Sequence, residues 1–182
     1  KAEYIGAEDR SALPKGVIGK EVYLIDWVYS LPLLKKLISL NKRVVAIDHH
    51  LSVREFISLA HEKMFSINHS GAVLSWKYFH PDEPVPMLLK HIEDVDLWKF
   101  DLPDSREISQ SLTLYEYNFD IWNGLADDFE HAERKRKYVE EGTLLVKKIE
   151  KLVENAVNNA EEIVFEGIPC LMTNAPFHVS EI

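Results

Sequence analysis

A chain of 182 residues is longer than most single domains and short for two complete ones, so one core with a smaller appendage is expected. Its net charge of −9 argues against a surface for long duplex nucleic acid, which binds mainly through Lys and Arg. The single cysteine excludes an internal disulfide and favours a reducing, cytoplasmic setting, and no apolar run approaches the roughly 20 residues of a membrane span.

The first half of the chain alternates between strand and helix patterns. Residues 22–26 and 43–48 are short apolar runs that each end in Asp, and they predict two parallel strands. Between them, Ser30 and Pro32 open a predicted helix with a leucine-rich stripe. A helix that begins after Ser52, a strand over 64–68 and a helix capped by Ser70 follow. We therefore expect an α/β fold in which a parallel sheet is flanked by helices.

The second half is mainly helical. Residues 132–159 predict a long charged helix, and residues 162–167 and 168–173 predict a hairpin that turns at Gly167. The predicted domains are residues 1–130, a connecting helix over 131–160, and the start of a second α/β domain over 161–182. Trp76, Trp98 and Trp122 are predicted to fill the core, with stacking on a nucleobase as the alternative.

Two carboxylates end the two predicted strands. Ligands bind at the carboxyl ends of parallel strands, so Asp26 and Asp48 are expected to lie near each other. Nearby carboxylates repel unless one is protonated or a cation lies between them. Because His49 and His50 follow Asp48 directly, we favour a cation, with manganese ahead of iron and zinc. The alternative is a plain turn in which Asp48 caps the next helix.

Further polar residues near this edge are candidates for the same site. Asp94 and Asp96 lie among apolar residues and offer a third carboxylate. The turn at Ser70 and Gly71 opens a helix, where backbone N–H groups can bind a phosphate. An ordinary capped helix is the alternative for that turn.

Four motifs, taken in order, resemble those of the DHH family of phosphoesterases. The resemblance covers roughly residues 15–130, and its motifs are Ile25-Asp26-Trp27-Val28-Tyr29-Ser30, Ile47-Asp48-His49-His50, Ser70-Gly71-Ala72 and Asp94-Val95-Asp96-Leu97-Trp98. The family includes RecJ-like exonucleases, oligoribonucleases, cyclic-dinucleotide phosphodiesterases and manganese-dependent pyrophosphatases. Residues 162–182, with Asn174-Ala175-Pro176, resemble the start of the substrate-binding domain that often follows a DHH domain.

The resemblance implies a role for each matched residue. Asp26 matches a carboxylate that bridges two Mn²⁺ ions, and His49 matches a ligand of one of them. Asp96 matches the final metal ligand, with Asp94 in reserve. His50 matches a residue that contacts the phosphate and Asp48 one that orients the histidine pair, so these two are the implied catalytic residues. The implied substrate-binding residues are His50, Ser70 and Gly71, and Mg²⁺ or another divalent ion is the alternative metal.

The implied activity is hydrolysis of a phosphodiester or phosphoanhydride in a small phosphorylated substrate. Short oligonucleotides rank first, cyclic dinucleotides second, and pyrophosphate or polyphosphate third. The family's first motif, a His with paired Asp, is expected upstream of Lys1, so this chain alone is expected to catalyse weakly. The rival is a non-catalytic DHH-like module that binds a ligand in the same cleft. The oligomeric state is left open, with a homodimer as one alternative.

Overall fold

The computed structural model describes residues 2–7, 9 and 11–174. The chain forms two compact units, Lys1–Asp101 and Leu102–Ile182. This division comes earlier than the predicted boundary after residue 130, and it places the helices that follow Asp101 with the long helix. Of the predicted second-domain segment, residues 175–182, including Ala175 and Pro176, lie outside the described residues.

A parallel sheet of three strands organises the first unit. Its strands are β1 (Glu21–Ile25), β2 (Arg43–Asp48) and β3 (Glu62–Phe65), and they lie in the order β1-β2-β3. Both pairings are parallel. The predicted α/β class with a parallel sheet and helices is thus confirmed. The third strand begins and ends slightly earlier than predicted, because residues after Phe65 turn at Ser66, whose Oγ accepts from the Asn68 N–H.

Helices cover both faces of this sheet. On one face, Val44 and Ala46 of β2 share a core cluster with Leu34 and Leu37 of α1 (Leu31–Leu40). On the other, a second cluster joins alternate residues of β2 to α2 (Gly71–Phe79), and its buried members are Val45, Ile47 and Leu74. Since successive side chains of a strand point to opposite faces, this alternation makes β2 the buried centre of three layers.

The segment between β2 and β3 differs from the prediction. An α-helix was expected after Ser52, but two short 3₁₀ helices, Leu51–Val53 and Ile57–Leu59, are formed. Buried Val53 and Ile57 pack into the same core cluster as α1. Val53 and Ile57 are four residues apart, so their burial gives the sequence the apolar pattern of a helix. Both are β-branched and the path to β3 is short, which favours isolated tight turns over a continuous helix.

The first unit continues through α3 (Met87–Asp96), which contacts α2. The second unit contains α4 (Ser105–Leu112), α5 (Phe119–Phe129), the long helix α6 (Ala132–Asn158) and a hairpin of β4 (Glu161–Phe165) and β5 (Ile168–Met172). Glu166 and Gly167 both have positive φ, as a two-residue hairpin turn requires. Among the described residues, no helix combines the length and apolar character needed to cross a membrane.

Gly142 allows α4 and α6 to approach closely. A Cβ built at this position would overlap the Glu107 carbonyl group, which belongs to α4. Alanine is otherwise the better helix former by about 1 kcal/mol. The close backbone approach therefore explains a glycine inside α6.

We expect Gly142→Ala to lower the free energy of unfolding by about 1 to 3 kcal/mol, because the added methyl group forces the helices apart. The matched control is Gly124→Ala in α5, where the added Cβ has no atom within 4 Å apart from its chain neighbours and the backbone of its own helix. That variant should be neutral or stabilising by up to about 1 kcal/mol. Urea unfolding of both variants tests the difference. Equal free energies of unfolding for the two variants would show that α4 and α6 can accommodate a methyl group at position 142 without cost.

Candidate metal site

The parallel register brings Asp26 to the same edge as the Asp48-His49-His50 segment. Ile25 pairs with Ile47, and the Asp26 N–H donates to the Ile47 carbonyl at 2.8 Å. Asp26 then leaves the strand with φ of 55°, a left-handed conformation that Asp tolerates better than most residues. The chain therefore turns at the point where its first carboxylate reaches the edge of the sheet.

Gly71 supports Asp26 from behind. A Cβ on Gly71 would lie 2.5 Å from the Cβ, Cγ and Oδ1 atoms of Asp26. Only glycine accommodates the carboxylate there. Because Gly71 is the first residue of α2, the Asp26 carboxylate lies against the N-terminus of that helix, whose partial positive charge favours an anion.

Asp48 fixes the orientation of His50. The Asp48 side chain is buried, and its Oδ1 accepts from both the backbone N–H and the ring Nδ1 of His50, each at 2.8 Å. Since a carboxylate oxygen accepts, Nδ1 donates, and Nε2 is the ring nitrogen left for other partners. The half-exposed His50 ring lies next to the His49 ring, with 4.4 Å between the ring centroids.

His49 is the centre of the cluster. Its Nε2 lies 3.3 Å from Oδ1 of Asp26 and 3.5 Å from Oδ2 of Asp96. This nitrogen is buried, yet it forms no hydrogen bond. Donor atoms that share one ion at about 2.1 Å lie about 3.0 to 3.4 Å apart, for octahedral or tetrahedral geometry. The separation from Asp26 lies within this range and the separation from Asp96 lies 0.1 Å beyond it, and both are longer than an ordinary hydrogen bond.

Asp26, His49 and His50 form a group whose ligand atoms all lie within 4.8 Å of one another. Burial raises the pKa of Asp26, and the nearby Asp96 and Asp48 carboxylates raise it as well, against the lowering effect of His49 and His50. A cation among these atoms would remove the repulsion between the carboxylates. The donor chemistry and the unbonded His49 nitrogen thus both fit a metal ion.

The two acidic candidates on α3 lie in different environments. Asp96 faces His49, as described above, whereas Asp94 is buried and its Oδ1 accepts from the Asp101 N–H at 2.8 Å. Asp94 therefore holds the loop after α3. Of the two, the structure brings Asp96 to the cluster.

Ser70 caps α2, as predicted, since its Oγ accepts from the Val73 N–H. The Ser70 side chain is buried, and its backbone N–H donates to Oε2 of Glu93 at 2.8 Å. Both polar groups are thus used inside the first unit. A direct contact between Ser70 or Gly71 and a substrate remains a prediction.

Glu93 is a residue that the sequence reasoning missed. Besides Ser70, its carboxylate binds Nδ1 of His69 at 3.0 Å, and Nε2 of His69 lies 2.7 Å from Nζ of Lys77. Glu93 thus ties the start of α2, which supports Asp26, to α3, which carries Asp96. Glu93 and Asp96 are three residues apart, a spacing that puts two side chains on neighbouring sides of a helix. That spacing is the feature of the sequence from which a role for Glu93 near the site could have been predicted.

Comparison with known proteins shows a similarity to a viral protein. The chain is 28% identical over 168 residues to the uncharacterized protein R106 of Acanthamoeba polyphaga mimivirus, which covers 90% of the chain and 39% of that protein. The chain therefore spans about two fifths of the length of the curated relative it matches. No family model and no solved structure matches the chain. Membership of the DHH family stays a prediction from the motifs.

We expect Gly71→Ala to weaken Mn²⁺ binding by about 10- to 100-fold, because the new methyl group displaces Asp26. Isothermal titration calorimetry measures the affinity, and Gly124→Ala again provides the control for a glycine-to-alanine change in a helix. An affinity equal to that of the unmodified chain would mean that the position of Asp26 does not control binding.

We expect Glu93→Ala to weaken Mn²⁺ binding by about tenfold, because it removes the acceptor that joins α2 to α3. Glu93→Gln keeps an acceptor oxygen for Ser70 and should restore most of the affinity. The matched control is Glu83→Ala, which removes an exposed partner of His80. If all three variants bind Mn²⁺ equally, Glu93 has no positioning role.

Proposed function

We propose that this chain carries the metal-binding part of a DHH-type phosphoesterase, which hydrolyses phosphodiester or phosphoanhydride bonds in small phosphorylated substrates. The observation that supports this most is the buried Nε2 of His49, placed between the carboxylates of Asp26 and Asp96 without a hydrogen bond. Burying a polar atom without a hydrogen-bond partner costs free energy of folding. A bound metal ion that accepts the lone pair of this nitrogen explains why the arrangement is kept.

Asp26, His49 and Asp96 are the residues that would hold the ion. Their mixture of carboxylate oxygen and imidazole nitrogen suits Mn²⁺, with Mg²⁺ as an alternative that prefers oxygen ligands. When bound, such an ion acts as a Lewis acid toward a phosphoryl oxygen. Two ions at one site are part of the proposal for the whole protein, because the resemblance implies further ligands from an upstream motif.

His50 supplies the phosphate contact in this proposal. Asp48 accepts from Nδ1, so the ring is held in one orientation and Nε2 is available for a substrate. When both ring nitrogens are protonated, Nε2–H can donate to a phosphoryl oxygen and stabilise the negative charge that develops there. Asp48 is then a positioning residue that acts through His50.

The ranking of substrates follows the resemblance, with short oligonucleotides first, cyclic dinucleotides second and pyrophosphate or polyphosphate third. The second candidate function is a non-catalytic DHH-like module that binds a phosphorylated ligand. It is favoured by the small ligand set: among the described residues, one group, Asp26, His49 and His50, has ligand atoms that all lie within 4.8 Å of one another.

The first experiment measures Mn²⁺ binding by the electron paramagnetic resonance signal of the free ion. We expect His49→Ala to lower the affinity at least about 100-fold, because it removes a central ligand rather than a supporting residue. His80→Ala is the matched control, since the His80 ring pairs with the exposed Glu83 and stacks on Trp76. Failure of the unmodified chain to bind Mn²⁺ would overturn the metal site.

The second experiment separates the two candidate functions. The chain, and any longer natural form of it, is incubated with a dinucleotide, a cyclic dinucleotide and pyrophosphate in the presence of Mn²⁺. Turnover that requires Mn²⁺ and is lost in His49→Ala supports the phosphoesterase. Mn²⁺-dependent binding without turnover in every form supports the ligand-binding module.

A further inference from the structure

The end of α3 carries an aromatic residue where helices usually carry glycine. The Trp98 N–H donates to the Val95 carbonyl at 2.9 Å and the Lys99 N–H to the Asp94 carbonyl at 2.9 Å. These are the two bonds of a Schellman motif, in which the residue at the Trp98 position adopts a left-handed conformation. Trp98 does so with φ of 56°, which is unfavourable for a bulky side chain.

The Trp98 side chain gains little from the fold in return. It is 61% exposed, so the prediction that it fills the core is wrong. Its ring makes an edge-to-face contact with Phe100, at 5.1 Å between centroids, and Phe100 is itself exposed and left-handed. Two aromatic residues thus adopt strained backbone conformations and expose their rings to water. Residues that break local rules without structural benefit are typical of functional sites.

Buried Asp94 holds this aromatic pair in place. Its carbonyl accepts from Lys99, and its Oδ1 accepts from Asp101, the residue that follows Phe100. These bonds fix the loop on both sides of Phe100. The pair is therefore presented by a defined backbone and not by a loose segment.

The pair also lies next to the candidate metal site along the chain. Trp98 is the second residue after Asp96, whose carboxylate lies beside His49. Two residues span at most about 7 Å, so the backbone that carries the ring begins within one nucleotide unit of the cluster. Exposed aromatic rings next to a phosphate site are suited to stack on nucleobases, because every base offers a π face.

We propose that Trp98, supported by Phe100, is a stacking platform for the nucleobase of a substrate whose phosphate is bound at the cluster of Asp26, His49, His50 and Asp96. This inference rests on the proposed function and narrows it. It favours nucleotides over pyrophosphate and polyphosphate, which have no base to stack.

The test compares the binding of AMP and ribose 5-phosphate to the Mn²⁺-loaded chain by calorimetry. The two ligands share a phosphate and a ribose and differ in the base. We expect AMP to bind about tenfold more tightly, as is typical of one base on an aromatic side chain. Trp98→Gly should lower the AMP affinity about tenfold, toward that of ribose 5-phosphate, and Trp98→Phe should retain part of the preference.

A stability measurement separates stacking from folding. Glycine suits the left-handed position at a helix end, so Trp98→Gly should unfold at the same temperature or a higher one while it loses the preference for AMP. Trp122→Ala is the matched control, because Trp122 also contacts another aromatic ring, that of Tyr117, but belongs to the second unit. It should keep the preference for AMP.

The outcomes distinguish this inference from the proposed function. Equal affinities of the unmodified chain for AMP and ribose 5-phosphate would overturn the platform and leave the phosphate site intact. A preference for AMP that survives in Trp98→Gly would also overturn it. Binding of neither ligand in Mn²⁺ would overturn the phosphate site and the platform together.

Discussion

The candidate site depends on the in-register parallel pairing of β1 and β2. Pairing of Ile25 with Ile47 places the residues that follow both strands at one edge of the sheet, so Asp26 meets the Asp48-His49-His50 segment across 21 residues of intervening chain. A shift of one residue would turn every side chain of the strand to the opposite face. Because both faces of β2 pack against helices, such a shift would exchange the side chains of its two core clusters and disrupt the packing of both. The core packing therefore also fixes the geometry of the site.

The candidate site contains unfavourable features that the hydrophobic core beneath it does not. The Asp26 backbone is left-handed, burial and neighbouring carboxylates raise the pKa of its side chain, and the buried His49 nitrogen forms no hydrogen bond. Each of these features costs free energy, and none improves the packing of the sheet. Such costs are expected where a protein holds polar groups ready for a ligand.

Much of the first unit was predictable because its signals are local. Apolar runs ending in Asp identified β1 and β2, and Ser70 identified the start of α2. The sequence did not reveal the 3₁₀ helices after β2, since buried Val53 and Ile57 have the spacing of a helix. It also did not reveal the bond between Glu93 and Ser70 or the exposure of Trp98. Those features depend on which elements meet in three dimensions, and a list of residue types does not contain that information.

The acidic segment of α3 shows how one short helix can serve several parts of a site. Successive residues of a helix point about 100° apart, so neighbouring carboxylates are directed to different partners. Glu93 binds the start of α2, Asp94 fixes the loop that carries Trp98, and Asp96 faces His49. Asp94 and Asp96 are therefore not equivalent candidates for a metal ligand, because their carboxylates face different partners. Asp94 holds the loop after α3, whereas Asp96, the last residue of the helix, lies beside His49.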